Sequence, residues 1–237
     1  MPGTVFSGVA LLLHLKALTL PINILIVDDH PVVRKGIAHL IASEPGFVVG
    51  GEAETANEGM RLIREARPDV CVVDLTLKGM SGMELIKSVR QEGLKTAILV
   101  VSMHDERVYA ERCLRVGANG YVMKDEAAEV IVTAIRKIQD GGTYLSDRLM
   151  SATVNRLVGG KSEVSGKGSM VASLSDRELE VFHLIGRGMT TRAIAEELDL
   201  SVKTVEAHKA NIKTKLGLKS APELQRLAVT WAQSQAG

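Results

Sequence analysis

From residue 22 onward, short apolar runs alternate with longer amphipathic stretches, and this alternation constrains the fold more than any other feature of the chain. The runs are Ile22–Val27, Phe47–Gly50, Val70–Asp74, Ala97–Val101 and Gly120–Met123. Apolar spacing predicts helices over Val32–Ser43, Thr55–Ala66, Gly82–Gln91, Asp105–Val116 and Ala127–Gln139. Pro31 stands where a first helical turn has no use for an N–H. Gly93, Gly117 and Gly141 stand just past helix ends, where a left-handed cap is easiest. Strands that are apolar throughout, rather than at alternate positions, are covered on both faces. Five βα units in a row therefore predict an α/β doubly wound, five-stranded parallel sheet of the flavodoxin-like kind.

Beyond Gly141 the pattern changes. Ser146–Leu157 has the spacing of one more helix, and Gly159–Ser169, rich in Gly, Ser and Lys, has the composition of a flexible linker. From Leu174 to about Trp231 there is no strand signal, and the spacing predicts an all-α unit of four short helices. The 237 residues thus divide into an extension over 1–21, expected to be disordered, an α/β domain over 22–141, a linker with one helix over 142–172, and a helical domain over 173–237. In the extension, Val5–Leu20 is mostly apolar but is interrupted by His14 and Lys16. It is short for a span and lacks a charged leader region and a cleavage site, so neither membrane association nor targeting is expected. Cys71 and Cys113 fit no metal-ligand spacing and are expected to be reduced thiols of a cytoplasmic protein. With a net charge of +1, any nucleic-acid surface must be a local patch, and 3% aromatic content argues against binding single strands by base stacking.

Doubly wound sheets bind ligands beyond the carboxyl ends of their strands. The first predicted strand runs into Asp28 and Asp29, the third into Asp74, the fourth into Ser102 and the fifth into Lys124. Three carboxylates at one edge repel one another unless a cation joins them, and hard oxygen ligands suit Mg²⁺. A hydroxyl and an ammonium at the same edge are placed to contact phosphoryl oxygens.

In the helical domain, Ser175-Asp176-Arg177-Glu178 has the form of a capping box that opens a helix carrying Leu179, Val181, Phe182 and Ile185. Gly186 and Gly188 end it, Thr190 caps a second helix, and Ser201 caps a third after a tight turn over Asp199–Ser201. Two short helices joined by such a turn form a helix-turn-helix. Val205, His208, Ile212 and Leu216 make the buried stripe of the third helix. Its opposite face carries Lys203, Glu206, Ala207, Ala210 and Thr214, flanked by Lys209, Lys213, Lys215 and Lys219. Small residues between cations suit a helix lowered into a major groove between phosphates.

Asp28, Asp29, Asp74, Ser102 and Lys124, in order on successive strands, resemble the receiver-domain signature. Leu174–Glu178, Gly188–Ala195, Ser201–His208 and Lys215-Leu-Gly-Leu resemble the LuxR-type helix-turn-helix. Together they make the chain similar to two-component response regulators of the NarL/FixJ class over roughly residues 22–229. The resemblance implies that Asp74 accepts a phosphoryl group from a histidine kinase, with Lys124 and Ser102 assisting. Mg²⁺ would be held by Asp28, Asp29, Asp74 and the backbone carbonyl of Thr76. Ser102 and Tyr121 would form a switch pair, the hydroxyl moving to the phosphate and the ring following it inward. In the DNA-binding domain, Glu206, Ala207 and Ala210 would face base edges, Lys203, Lys209 and Lys213 would contact phosphates, and Thr191 and Thr204 would join the double-stranded DNA interface. The phosphorylated receiver would form a homodimer or release the DNA-binding domain.

Departures from the family pattern bear on detail. The loop after the phosphoacceptor runs Leu77–Lys78–Gly79 instead of the usual Pro-Gly, Glu206 stands where several members carry Lys, and Ala221-Pro222 replaces a frequent Arg. Ser220 with Glu223 still has the form of a capping box for the last helix. An aspartyl-phosphate enzyme of the haloacid dehalogenase type needs a second Asp two residues after the nucleophile, where this chain has Thr76, so an enzyme is not expected. The alternative is a phosphorylation-independent DNA-binding or protein-docking regulator with a vestigial receiver.

Overall fold

A computed structural model describes residues 20–151, 171 and 173–235. In chain order the elements are β1 (Ile22–Val27), α1 (Pro31–Ala42), β2 (Phe47–Ala53), α2 (Ala56–Ala66), β3 (Val70–Val73), α3 (Gly82–Gln91), β4 (Ala97–Ser102), α4 (Glu106–Arg115), β5 (Gly120–Met123) and α5 (Ala127–Gln139). The helical unit follows as α6 (Asp176–Gly186), α7 (Thr191–Glu197), α8 (Val202–Lys215) and α9 (Ala221–Gln235). Residues 147–151 are helical, with Ser146 just before the first turn; residues 152–157 of the expected helix, the Gly159–Ser169 linker and all but the last two residues of the extension lie outside the described residues.

The five strands pair in parallel in the order β2-β1-β3-β4-β5. The order reverses between β1 and β3, and a crevice opens there at the carboxyl ends of the strands. Two apolar layers hold the sheet. Ile24, Ile26, Val72, Leu99 and Val101 pack with Ile37 and Ile41 of α1 and Ile131 and Ile135 of α5. Leu25, Val27, Cys71, Val73 and Val100 pack on the other face with Met60 and Ile63 of α2, Leu85 and Ile86 of α3, and Ala110 and Cys113 of α4. Consecutive residues of one strand serve opposite layers, which is why these strands read as unbroken apolar runs. The second layer continues into Leu179, Phe182, Ile194, Val205, Ile212 and Leu224 of the helical unit, so the two units share one apolar cluster.

Local chemistry sets the helix boundaries. Gly93, Gly117 and Gly141 take φ of +69°, +108° and +83° just beyond α3, α4 and α5. Ser175 and Glu178 form both bonds of a capping box, Thr190 accepts from the Ala193 N–H, and Ser201 accepts from the Thr204 N–H. Asp199 sits at φ +50° in the turn between α7 and α8, a conformation that short polar side chains tolerate. The expected box at the last helix is only half formed: Ser220 accepts from the Glu223 N–H, while the Glu223 carboxylate reaches back to the Lys219 N–H. The expected buried stripe of α8 holds at Val205, Ile212 and Leu216, whereas His208 is only half-buried.

Gly82, the first residue of α3, presses directly on the backbone of the β3 edge. A Cβ there would lie 2.0 Å from the carbonyl oxygen of Asp74, while the Gly82 N–H donates to Leu75 O at 2.9 Å. Gly82→Ala is expected to destabilise the α/β unit by about 2 kcal/mol or more, as backbone overpacking does, and to shift Asp74. Urea denaturation checks this, and an unchanged midpoint would mean that α3 can slide away from the loop at no cost.

Candidate functional site

Each carboxylate and the lysine owe their place to a strand end. Asp28 and Asp29 follow β1, Asp74 follows β3, and Lys124 follows β5. The Lys124 ammonium bridges the edge, with Nζ 2.8 Å from Asp28 Oδ2 and 2.7 Å from Asp74 Oδ2. Both carboxylates are nearly sealed, at 2% and 3% exposure. Burial pushes Asp74 up to about 6, against the pull of Lys124. Burial also pulls the Lys124 ammonium down, but Asp74 and Asp28 outweigh it and hold it above its ordinary value. Burial raises Asp29 as well, partly countered by His30.

Ligand atoms of Asp28, Asp29, His30 and Asp74 lie within 4.8 Å of one another. Asp29 Oδ1 is buried and accepts no hydrogen bond, although His30 Nδ1 stands 2.7 Å away. Converging carboxylate oxygens, one of them unsatisfied, fit a hard divalent cation better than a softer metal that prefers nitrogen or sulfur. The Thr76 N–H donates to Asp74 Oδ1 at 3.3 Å, which orients the turn carrying the Thr76 carbonyl.

Sequence reasoning missed two residues here. His30 lies against Asp29, and its only signal was adjacency. Arg34 on α1 is buried, donates to Asp28 O at 2.6 Å, and pairs with Glu52 at 3.2 Å and Glu54 at 2.7 Å, pinning the β1–α1 loop. A lone arginine on an otherwise apolar helix face was the available clue.

Ser102 ends β4, is fully buried, and accepts from the His104 N–H at 3.3 Å. Tyr121 is also fully buried, and its hydroxyl donates to His104 O at 2.7 Å.

The helical unit covers this edge. His30, Asp74 and Lys124 on one side, and Glu180, His183 and Arg187 on the other, line a cavity of ≈ 660 Å³ between the two units. Lys87 pairs with Asp176 at 2.7 Å, and Arg112 donates to Leu174 O at 2.8 Å and to Val171 O at 3.2 Å. Arg177 donates to Gly79 O and Leu198 O, both at 3.0 Å, and the Gly79 N–H reaches Leu198 O at 3.3 Å. Glu180 pairs with Arg177 at 2.6 Å through one oxygen, and its other oxygen is buried without a partner. Burial, opposed by Arg177 and reinforced by Glu84 and Asp74, pushes Glu180 up to about 7. None of these cross-unit contacts had a periodic signal in the sequence.

On α8, Lys203, Glu206, Ala207 and Ala210 are exposed, and Thr204, Lys209 and Lys213 are partly exposed. Glu206 Oε1 accepts from Thr191 Oγ1 at 2.8 Å and from Lys209 Nζ at 2.9 Å, and Lys209 also donates to Thr191 at 2.8 Å. These bonds, with Lys209 first, hold the Glu206 carboxyl below its ordinary value. Glu206 and Lys209 are therefore engaged with each other in this arrangement.

Residues 24–136 match the response regulator receiver domain, and residues 172–228 match the luxR family of bacterial regulatory proteins. The oxygen regulatory protein NreC of Staphylococcus epidermidis is 38% identical over 210 residues, covering 87% of this chain and 96% of NreC. Among solved structures, the RcsB response regulator of Salmonella typhimurium matches 90% of this chain and 98% of its own, at 26% identity and a TM-score of 0.63. A LuxR-family two-component response regulator from Aurantimonas matches 58% of this chain and 99% of its own, at 38% identity and a TM-score of 0.55. The chain belongs to the response regulators that join a receiver domain to a LuxR-type helix-turn-helix.

Proposed function

We propose that phosphorylation of Asp74 by a sensor histidine kinase controls the binding of this transcription regulator to double-stranded DNA in the cytoplasm. The observation that carries the reading is the buried Asp28–Lys124–Asp74 bridge at the sheet edge, with Asp29 beside it. In the transfer, an Asp74 oxygen forms the new P–O bond as the P–N bond to the kinase imidazole breaks, leaving the ring to take up a proton. Lys124 stays paired with the growing negative charge, and Ser102 turns its hydroxyl towards a phosphoryl oxygen. Asp28, Asp29, Asp74 and the Thr76 carbonyl would hold Mg²⁺, which when bound neutralises phosphoryl charge.

Two observations support release of the DNA-binding domain as the output. The Gly79 loop abuts the turn before α8, the end of a recognition helix that approaches base edges, so groove entry requires that loop to leave. Glu180 faces the same cavity as Asp74, so about −1.5 to −2 of added phosphoryl charge raises the cost of keeping its carboxylate buried. Once released, two copies would pair as a homodimer and present their α8 helices to half-sites. Glu206, Ala207 and Ala210 would read base edges; Lys203, Lys213 and Lys209 would contact phosphates, Lys209 after leaving Glu206; Thr191 and Thr204 would line the interface.

The decisive experiment is DNA-binding anisotropy with and without beryllofluoride and Mg²⁺, comparing wild type with Asp74→Ala. The mimic is expected to tighten wild type ten-fold or more, about 1.4 kcal/mol, and to leave Asp74→Ala unchanged. Equal binding by both proteins regardless of mimic would favour the phosphorylation-independent regulator.

The pocket's protonation gives a separate prediction. In Mg²⁺-free protein, carboxyl ¹³C NMR is expected to find Asp74 titrating near 6, and added Mg²⁺ to lower that value. Because the cation binds the carboxylate form, Mg²⁺ affinity should be full above that pH and fall as pH drops through it. An ordinary aspartate titration that Mg²⁺ does not move would remove Asp74 from the cation site.

A further inference from the structure

His104 lies in the loop after β4, two residues beyond Ser102, and connects four parts of the molecule. Its N–H donates to Ser102 Oγ at 3.3 Å, and its carbonyl accepts from the Tyr121 hydroxyl at 2.7 Å. Its Nε2 lies 2.9 Å from Thr76 Oγ1, in the loop that carries Asp74. The ring stacks on Tyr109 of α4 with centroids 4.4 Å apart. Across the domain boundary the ring meets His183 of α6 edge-on, at 4.9 Å and 83°. His183 in turn stands edge-on to Trp231 of α9 at 6.0 Å. His104 is 6% exposed, so it cannot shift without disturbing its neighbours.

Resting on the phosphorylation-controlled reading above, we propose that His104 is the positioning residue that couples the receiver to the DNA-binding domain, through its ring contact with His183. The same main-chain unit is bonded to both members of the expected switch pair, Ser102 and Tyr121. When the Ser102 hydroxyl turns to a phosphoryl oxygen, the His104 N–H loses its acceptor. The loop then shifts, the Thr76 bond is strained, and the ring leaves the edge of His183. The receiver side of the interface thus loses a contact bonded through its own main chain to the switch pair. Neighbouring cross-domain bonds run from Arg177 to Gly79 O, from Lys87 to Asp176 and from Arg112 to Leu174 O, elsewhere on the two surfaces.

A single ring pair of this kind biases an equilibrium roughly three- to ten-fold. The test uses the full chain and DNA anisotropy, with radius of gyration from solution scattering and ¹⁹F NMR to confirm that beryllofluoride is bound. Without the mimic, His183→Ala and His104→Ala should each bind DNA roughly three- to ten-fold tighter than wild type and scatter as a more extended molecule. The further gain on adding the mimic should shrink by the same factor, and the double variant should gain no more than either single one. His183→Phe keeps a ring edge at that position and should retain the wild-type response, which a general loss of packing would not predict. Because His183 belongs to α6 of the helical unit and not to the sheet edge that carries Asp74, its variants stay interpretable even where His104→Ala fails to fold. A wild-type response preserved in His183→Ala overturns the coupling role alone. No response in wild type overturns the regulatory reading and the coupling with it.

Discussion

The charged edge of the sheet is held together by one ammonium. Lys124 contacts Asp28 and Asp74 at 2.8 and 2.7 Å, in a place where both carboxylates have lost nearly all their water. Removing that charge would leave adjacent buried anions uncompensated, a far larger penalty than the loss of a surface ion pair. The sheet supplies the geometry: β1, β3 and β5 end at the same edge, so residues far apart in sequence meet without any irregular backbone. Beside it α1 contributes Arg34, which donates to the Asp28 carbonyl and pairs with Glu52 and Glu54, fixing the β1–α1 loop that carries Asp28 and Asp29. Cation and carboxylates are held ready for a ligand that arrives with its own charge.

How much of this was legible follows from where the information sits. The strands were legible because each serves both apolar layers, which leaves continuous runs; β4 passes its run by one residue, Ser102, and β2, with its mixed burial from Phe47 to Ala53, by three. The pocket residues were legible because strand ends are fixed by where those runs stop. Arg34 and His30 were not, since a charged side chain on α1 and a ring beside Asp29 look like ordinary solvated positions until the sheet is assembled. The cross-domain contacts were the least legible. Glu180 lies one turn into a capped helix with acidic residues in its first turn, a pattern that serves an exposed helix start equally well. Only docking turns it into a buried, half-satisfied carboxylate.

The same contrast applies to α8. Helical periodicity placed Val205, Ile212 and Leu216 inward correctly, because three core contacts select one face. It could not show that Glu206 and Lys209 neutralise each other with Thr191 between them, since that depends on how α7 crosses α8. The pairing has a consequence for recognition. A carboxylate facing DNA phosphates is repelled, and the paired Lys209 ammonium lessens that repulsion; in the proposed complex Lys209 would exchange this bond for a phosphate. In the proposed DNA complex, a base contact by Glu206 would compete with its internal bonds to Thr191 and Lys209, which would favour sites that offer a donor such as a cytosine amino group.

The interface between the domains is unusual in what it leaves incomplete. An interface meant to stay closed gains by satisfying every buried polar group, because each unsatisfied one costs about 1–3 kcal/mol. Here Glu180 keeps one oxygen without a partner, and it does so on the wall facing Asp74. Apolar packing through the shared cluster and hydrogen bonds from Arg112 and Arg177 hold the domains together despite that cost. The closed arrangement is thus stabilised by the shared apolar cluster and these hydrogen bonds, and left incomplete on the wall where added charge would appear. Charge added at Asp74 would act on that incompletely satisfied wall, where the closed arrangement has least to lose.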